Sequence, residues 1–353
     1  MKSELRSIGG KRVKKIDLET HFVTQTWVDA LYSNEGYPRF EDEPATGKRR
    51  LYYAADAFEP HGDFLLDRLL DLGPDRIAAM DASGIDLAVV SLTSPGCEQF
   101  EPAVGSKVAR AVNDELAAAI ARFPGRLAGY AALAPKDTDA AVMELERAVK
   151  DLGLKGWKTH SNFGDSYLDE ARYWPILAKA EELNVPIYLH PAAPMIPQLR
   201  TYGLALAGAA FGFGVETATA MVRLALSGAF DAYPKLKIIL GHYGEGLPFL
   251  MQRIDHPFLR PHTKDDVGTV PDIKRHPSDY LRDNMVVTTS GNYLPAAFKC
   301  TREALGIDKI MLGTDYPYEE MPESISFIEA LPMTDAEKVL LYSENAAAVG
   351  FTV

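Results

Sequence analysis

The fold class predicted by the sequence is α/β: a (β/α)8 TIM barrel with long loop excursions at its C-terminal face. Three observations predict it. Short apolar, β-branched runs alternate with longer stretches of helical spacing, there are eight such runs, and several of them end in titratable residues. Alternation of this kind favours parallel pairing, because each crossover must return the chain to the same end of the sheet. Eight repeats suit closure into a barrel. A doubly wound open sheet is the alternative, but it usually shows a glycine-rich phosphate turn after its first strand, and here that strand ends Glu19-Thr20-His21-Phe22.

In chain order the predicted strands are Val13–Phe22, Ile85–Leu92, Arg126–Leu133, Leu154–His160, Val185–His190, Leu236–His242, Asn284–Ser290 and Lys309–Asp315. The amphipathic stretches between them include Lys107–Phe123, Asp137–Leu152, Leu168–Leu183, Glu216–Tyr233 and Leu294–Leu305. Two regions depart from this alternation. Residues 24–62 are rich in Tyr, Pro, Glu and Asp without clear periodicity and read as an excursion over the top of the barrel; residues 256–278 form a second polar, proline-punctuated loop. Neither reads as a separate domain, so residues 1–353 are expected to form one. Thr334-x-x-Glu337 is a capping box opening a last helix toward Ala348.

The chain has 353 residues, of which 47% are hydrophobic, and its 37 basic and 49 acidic side chains give a net charge of −12. With no block of Lys or Arg, it repels phosphate backbones and anionic lipid, which argues against nucleic acid or membrane as a partner. Cys97 and Cys300 are the only cysteines, too few for a disulfide framework or a cysteine-built zinc site. The charged N-terminus lacks a signal-peptide core, and no segment reaches 18 uninterrupted apolar residues. A cytoplasmic location is expected.

Residues two apart on a strand share a face, so Glu19 and His21 point together, as do Lys158 and His160. His190, His242 and Asp315 fall at the ends of later strands, where barrels of this class gather catalytic groups. A single strand-end histidine is commonly structural, but coincidence at several ends points to a site. Neutral imidazoles with carboxylates suit Zn2+, Mn2+ or Fe2+; the ligand candidates are Glu19, His21, His190 and Asp315. Glu245, three residues after His242, is positioned to orient its ring. Arg253 offers either a fork for a carboxylate or a surface or subunit salt bridge. Lys158 reads as a carbamate, a partner for an anionic substrate or a salt-bridging residue. Phe211 and Phe213 lie among glycines and suit either a ring sandwich or the core, while Thr93 and Tyr318 are wall candidates by position. His160 joins Arg253, Thr93, Phe213 and Tyr318 as a substrate-binding candidate.

Glu19-x-His21, Leu189-His190-Pro191, the run Gly241-His242-Tyr243-Gly244-Glu245-x-Leu247-Pro248 and Gly313-Thr314-Asp315-Tyr316-Pro317 together resemble the motif series of the amidohydrolase superfamily. The resemblance is closest to its metal-dependent, non-oxidative decarboxylases, which include 5-carboxyvanillate, γ-resorcylate and 2,3-dihydroxybenzoate decarboxylases. Leu92–Gly96, Phe211–Thr217 and Gly244–Asp255 also resemble that branch, and the likeness runs over nearly the whole chain. It implies one divalent ion, Mn2+ or Zn2+, on Glu19, His21, His190 and Asp315, with His242 and Glu245 beside it. It further implies a small aromatic carboxylate substrate and a homodimer or homotetramer. On this basis Asp315 is expected to protonate the ring carbon before CO2 leaves, its pKa raised by a neighbouring carboxylate or bound anion, with His242 holding or relaying the proton. The alternative is hydrolysis of a lactone, ester or amide by metal-activated water.

Overall fold

Along each barrel strand, side chains alternate between the barrel interior and the layer of helices outside it. The computed structural model of the chain describes residues 12–59, 63–260 and 271–353. Its strands are β1 (Ile16–Phe22), β2 (Arg39–Asp42), β3 (Arg49–Ala54), β4 (Ala57–Phe58), β5 (Leu87–Leu92), β6 (Leu127–Gly129), β7 (Trp157–His160), β8 (Ile187–His190), β9 (Ile238–Leu240), β10 (Met285–Thr288) and β11 (Ile310–Met311). β1, β5 and β6 pair in parallel, and so do β7 through β11 in succession. Two bridges close the ring: Ala131 with Trp157, and Thr20 with Tyr316. Backbone bonds from Lys158 N to Ala131 O (3.1 Å) and from Asp315 N to Glu19 O (2.8 Å) reinforce them. The eight expected strands are the eight of the barrel, each shorter than the apolar run that announces it.

Alternation divides the apolar residues into two cores. Ile16, Leu18, Leu87, Val89, Tyr130, Tyr188, Ile239, Val286 and Met311 form one, with Phe351 from the C-terminal end packed against Tyr130. Their strand neighbours Ala88, Val90, Ile187, Leu189, Ile238, Leu240, Met285 and Val287 belong to a second, larger core. Burying each large aliphatic side chain is worth about 1.5–3 kcal/mol, so both faces of every strand oppose a slip in register. Two residues further along, the same face turns polar: Tyr188 leads to His190 and Val286 to Thr288. In β1 the pairing with β5 shifts between Asp17 and Thr20, a bulge-type irregularity of the kind that re-aims side chains. Glu19 lies within that shift and His21 just beyond it.

The expectation for residues 24–62 needs correction. They hold a helix, Gln25–Tyr32, whose N-cap Thr24 Oγ1 accepts from Trp27 N at 3.2 Å, followed by the antiparallel sheet β2-β3-β4. Within β2 and β3 only Phe40 and Leu51 are buried, so the period-two signal is too sparse to stand out among charged neighbours. Residues 60–62 lie outside the described residues. In 256–278 a short helix, His256–Leu259, and the start of the helix Pro277–Asn284 flank residues 261–270, which also lie outside the described residues. The capping box at Thr334 and Glu337 forms as expected. Among the described residues no helix is long and apolar enough to cross a membrane.

Asp17 ties β1 to the segment after β11. Its Oδ2 accepts from Thr314 Oγ1 (2.6 Å), and its Oδ1 accepts from Thr314 N (3.0 Å) and Glu19 N (3.2 Å). Burial, only partly offset by these bonds, pushes its carboxyl up from 3.8 to about 7. The folded chain therefore keeps this proton to higher pH than the unfolded chain does, and the Asp17 contribution to stability falls as pH rises through that window. Relative to the wild type, Asp17→Asn should gain in Tm as pH rises from about 4 to about 7. Melting curves across this range check the expectation, and a Tm difference that stays flat contradicts it.

Candidate metal centre and active site

Ligand atoms of Glu19, His21, His190 and Asp315 all lie within 4.8 Å of one another at the carboxyl ends of the strands. Each is oriented by its own surroundings. Thr288 Oγ1 donates to Glu19 Oε2 at 2.6 Å, a charge-assisted bond worth about 1.5–3 kcal/mol. His190 Nδ1 donates to Pro191 O at 3.0 Å, leaving Nε2 as the free lone pair. His21 Nδ1 lies 3.3 Å from Ser91 Oγ, while its Nε2 meets Asp315 Oδ1 at 2.9 Å. Burial, with nearby Lys158 adding to it, pushes both imidazoles below their ordinary values, so they are neutral near pH 7. Glu19 Oε1 is buried and has no hydrogen-bond partner. A buried carboxylate oxygen without a donor is costly, and the two carboxylates and two neutral imidazoles form a donor set that fits one divalent ion.

His242 stands beside this cluster, with Nε2 3.9 Å from Glu19 Oε1 and 3.7 Å from Asp315 Oδ2. Its Nδ1 bonds Glu245 Oε1 at 2.7 Å. Burial disfavours the charged ring, but Glu245, Glu19 and Asp315 outweigh it and hold His242 well above its ordinary value. Asp315 moves the opposite way from the expectation. Burial favours its neutral form, yet hydrogen bonds with His21 and His242 hold it well below the usual carboxylate range. In the ligand-free chain the proton therefore resides on His242.

The backbone here is strained. His242, Tyr243, Glu245 and Asp315 adopt φ of 53°, 58°, 55° and 65°, left-handed values costing about 1–3 kcal/mol each for side chains of this kind. They are held by bonds such as Tyr243 N to Thr288 O (2.9 Å) and His242 N to Ser290 Oγ (3.1 Å). Two glycines make room for carboxylates. A Cβ on Gly241 would lie 2.8 Å from Glu19 Oε1, and one on Gly214 would lie 2.8 Å from Glu245 Oε2.

A cavity of about 1000 Å3 opens over the cluster, and Thr93, Phe213 and Tyr318 line it together with His190, His242, Glu245 and Asp315. Thr93 Oγ1 and Tyr318 OH are 2.7 Å apart. Two of the expected substrate-binding residues do not line this cavity. His160 is buried behind the wall, facing Glu98 Oε2 at 3.1 Å and Lys158 Nζ at 3.1 Å, and burial drives it down to about 4. Lys158 also donates to Leu92 O (2.5 Å), so of the alternatives for this lysine the structure holds contacts with protein neighbours. Arg253 is exposed and absent from the cavity wall of its own chain: Leu247, Leu250 and Ile254 turn toward the cavity, and Arg253 lies on another face of the same helix. The polar lining residues Tyr53, Glu59, Asn292 and Glu319 are among those not singled out from the sequence. Thr288 was also missed, although its place two residues beyond Val286 was a usable signal.

Parallel closure and a strand-end set of carboxylates and imidazoles define the class, a (β/α)8 barrel with a metal-type centre at its C-terminal face. The Amidohydrolase family matches residues 16–349, and the chain belongs to that family. It is 36% identical over 343 residues to γ-resorcylate decarboxylase of Polaromonas sp. strain JS666, covering 94% of this chain and 97% of that one. The structure of 5-carboxyvanillate decarboxylase from Novosphingobium aromaticivorans, complexed with manganese and 4-hydroxy-3-methoxy-5-nitrobenzoic acid, is similar with a TM-score of 0.86 at 33% identity, covering 99% of both chains. The structure of a dihydroxybenzoic acid decarboxylase from Polaromonas sp. JS666, with bound manganese and 2-nitroresorcinol, is similar with a TM-score of 0.79 at 34% identity, covering 96% of each.

Glu245→Gln removes the nearest anion from His242 while keeping the shape of its side chain. The His242 pKa, followed by NMR titration of the imidazole, should fall toward the ordinary imidazole value. An unchanged titration would mean that Glu245 does not set the charge of this ring.

Proposed function

We propose that the chain is a metal-dependent, non-oxidative decarboxylase of hydroxylated benzoic acids, using one divalent ion, Mn2+ or Zn2+, held by Glu19, His21, His190 and Asp315. The observation that carries this reading is the meeting of four ligand atoms within 4.8 Å beneath a cavity that also presents the His242–Glu245 pair. The named activities and bound manganese of the relatives support it.

Direct loss of CO2 from a benzoate would leave an aryl carbanion with no stabilised place for its electrons. Protonating the ring carbon that bears the carboxylate removes that obstacle, and breaking the C–C bond then restores aromaticity. Held by Glu19, His21, His190 and Asp315, a divalent ion would supply Lewis-acid polarisation of the substrate. His242 stores the proton, kept charged by Glu245, and passes it to Asp315 Oδ2, 3.7 Å from Nε2. Asp315 delivers it to the ring. Phe213, Thr93 and Tyr318 bound the ring's position.

Arg253 serves a neighbouring subunit's site in a homodimer or homotetramer. Its exposure and the exposed Tyr202, Phe249, Leu250 and Leu259 support that assembly. The setting is cytoplasmic, and the barrel is one domain.

Incubation of metal-loaded protein with ortho-hydroxybenzoates should release CO2, while aryl esters and lactones should be left intact. Turnover confined to the esters or lactones contradicts the decarboxylase reading. Asp315→Asn should lower turnover by roughly 10²–10⁴-fold or more, and retention of most activity would assign the proton to another group. Glu19→Gln and His190→Ala should each lose bound metal, measured by elemental analysis after dialysis; undiminished metal content would remove these residues from the ligand set.

A further inference from the structure

Behind Glu19 lies a run of buried hydroxyls, those of Tyr188, Thr288 and Ser290, whose direction is fixed by its two ends. At one end Thr288 Oγ1 is 2.6 Å from Glu19 Oε2. A carboxylate only accepts, so the single hydroxyl proton of Thr288 is spent there. Tyr188 OH and Ser290 Oγ each lie 3.2 Å from Thr288 Oγ1, and both must therefore donate to it. Burial and the nearby Glu19 keep the Tyr188 phenol protonated for that role. At the other end Ser290 Oγ accepts from His242 N at 3.1 Å. The chain thus runs one way, from His242 N through Ser290 and Thr288 to Glu19 Oε2, and hydrogen bonds aligned in this manner strengthen one another in a low-dielectric interior. The Thr288 carbonyl meets the same turn, accepting from Tyr243 N at 2.9 Å. A glycine clears the approach: a Cβ on Gly313 would fall 2.7 Å from Thr288 Cβ and 3.1 Å from Glu19 Cβ.

We propose that Thr288 is a positioning residue for the metal centre: it occupies Glu19 Oε2, so that Oε1 alone is turned to the ion, and it joins that ligand to the turn that carries His242. The inference rests on the ligand set proposed above. Oε1 is the oxygen of Glu19 with no hydrogen-bond partner, and it lies 3.9 Å from His242 Nε2. A carboxylate with both oxygens free can rotate or offer both of them at once; with Oε2 held it does neither. Hydrogen-bond partners that orient a ligating carboxylate govern metal affinity strongly, although they do not themselves bind the ion. Thr288 acts on the ion only through Glu19.

The test titrates the metal-free, full-length protein with Mn2+ and follows the free ion by electron paramagnetic resonance. Thr288→Val keeps the shape of the side chain and removes its hydroxyl, and its Kd for Mn2+ should rise by about 10–100-fold. Thr288→Ser retains the hydroxyl and should bind nearly as the wild type does. Ser290→Ala shortens the chain without touching Glu19 and should weaken binding less than Thr288→Val. Melting curves of the metal-free forms separate this role from a merely structural one, which would lower Tm and leave the Kd of folded Thr288→Val unchanged. That unchanged Kd overturns the inference, as does a Thr288→Ser variant that binds as poorly as Thr288→Val. Thr288→Ala removes the same hydroxyl should Thr288→Val not fold, and the same two outcomes decide. A wild type that takes up no Mn2+ sinks the metal-dependent reading itself, whereas equal binding by the wild type and Thr288→Val sinks this inference alone.

Discussion

Glu19 Oε1, a buried carboxylate oxygen without a hydrogen-bond partner, is the constraint on which the site depends. Two carboxylates converge on one point: Glu19 from β1 and Asp315 from beyond β11. In a low-dielectric interior such a pair is repulsive unless something positive lies between or beside them. The ligand-free chain answers in part with Thr288, which donates to the other oxygen of Glu19, and with the imidazoles of His21 and His242, which face Asp315. A divalent ion among the same atoms answers it fully. The same arrangement keeps His242 charged, so metal-type ligands and a proton store are one electrostatic unit.

The barrel makes that convergence affordable in a chain where the groups are far apart in sequence. Alternation places Tyr188 and His190 on one face, and likewise Val286 and Thr288, so an apolar floor and a polar mouth arise from a single period. The strained turn at His242, Tyr243 and Glu245 and the left-handed Asp315 stand on this floor. Their backbone bonds to Thr288 O, Ser290 Oγ and Glu19 O hold conformations that the residues would not choose alone.

The strands and the four ligand candidates were legible because period-two hydrophobicity and strand-end position are local signals. Glu19, His21, His190 and Asp315 each sat at the end of an apolar run, so placing the runs also placed the ligands. What was not legible depended on three-dimensional surroundings. His160 has the right chemistry at a plausible position, but full burial beside Glu98 and Lys158 withdraws it from the cavity, and the face of its helix turns Arg253 away from the cavity of its own chain. The small sheet β2-β3-β4 escaped notice because its strands are short and mostly half-exposed, and with it went Tyr53 and Glu59. The expected rise in the Asp315 pKa failed because two imidazoles, both distant in sequence, act on one carboxylate.

Anomalous diffraction at the manganese absorption edge, from crystals of the manganese-loaded protein, is the most direct measurement of the central claim. The account predicts a single peak within bonding distance of Glu19, His21, His190 and Asp315, with His242 remaining on Glu245. No peak among these four side chains, or an ion bound instead by His242 and Glu245, would contradict it.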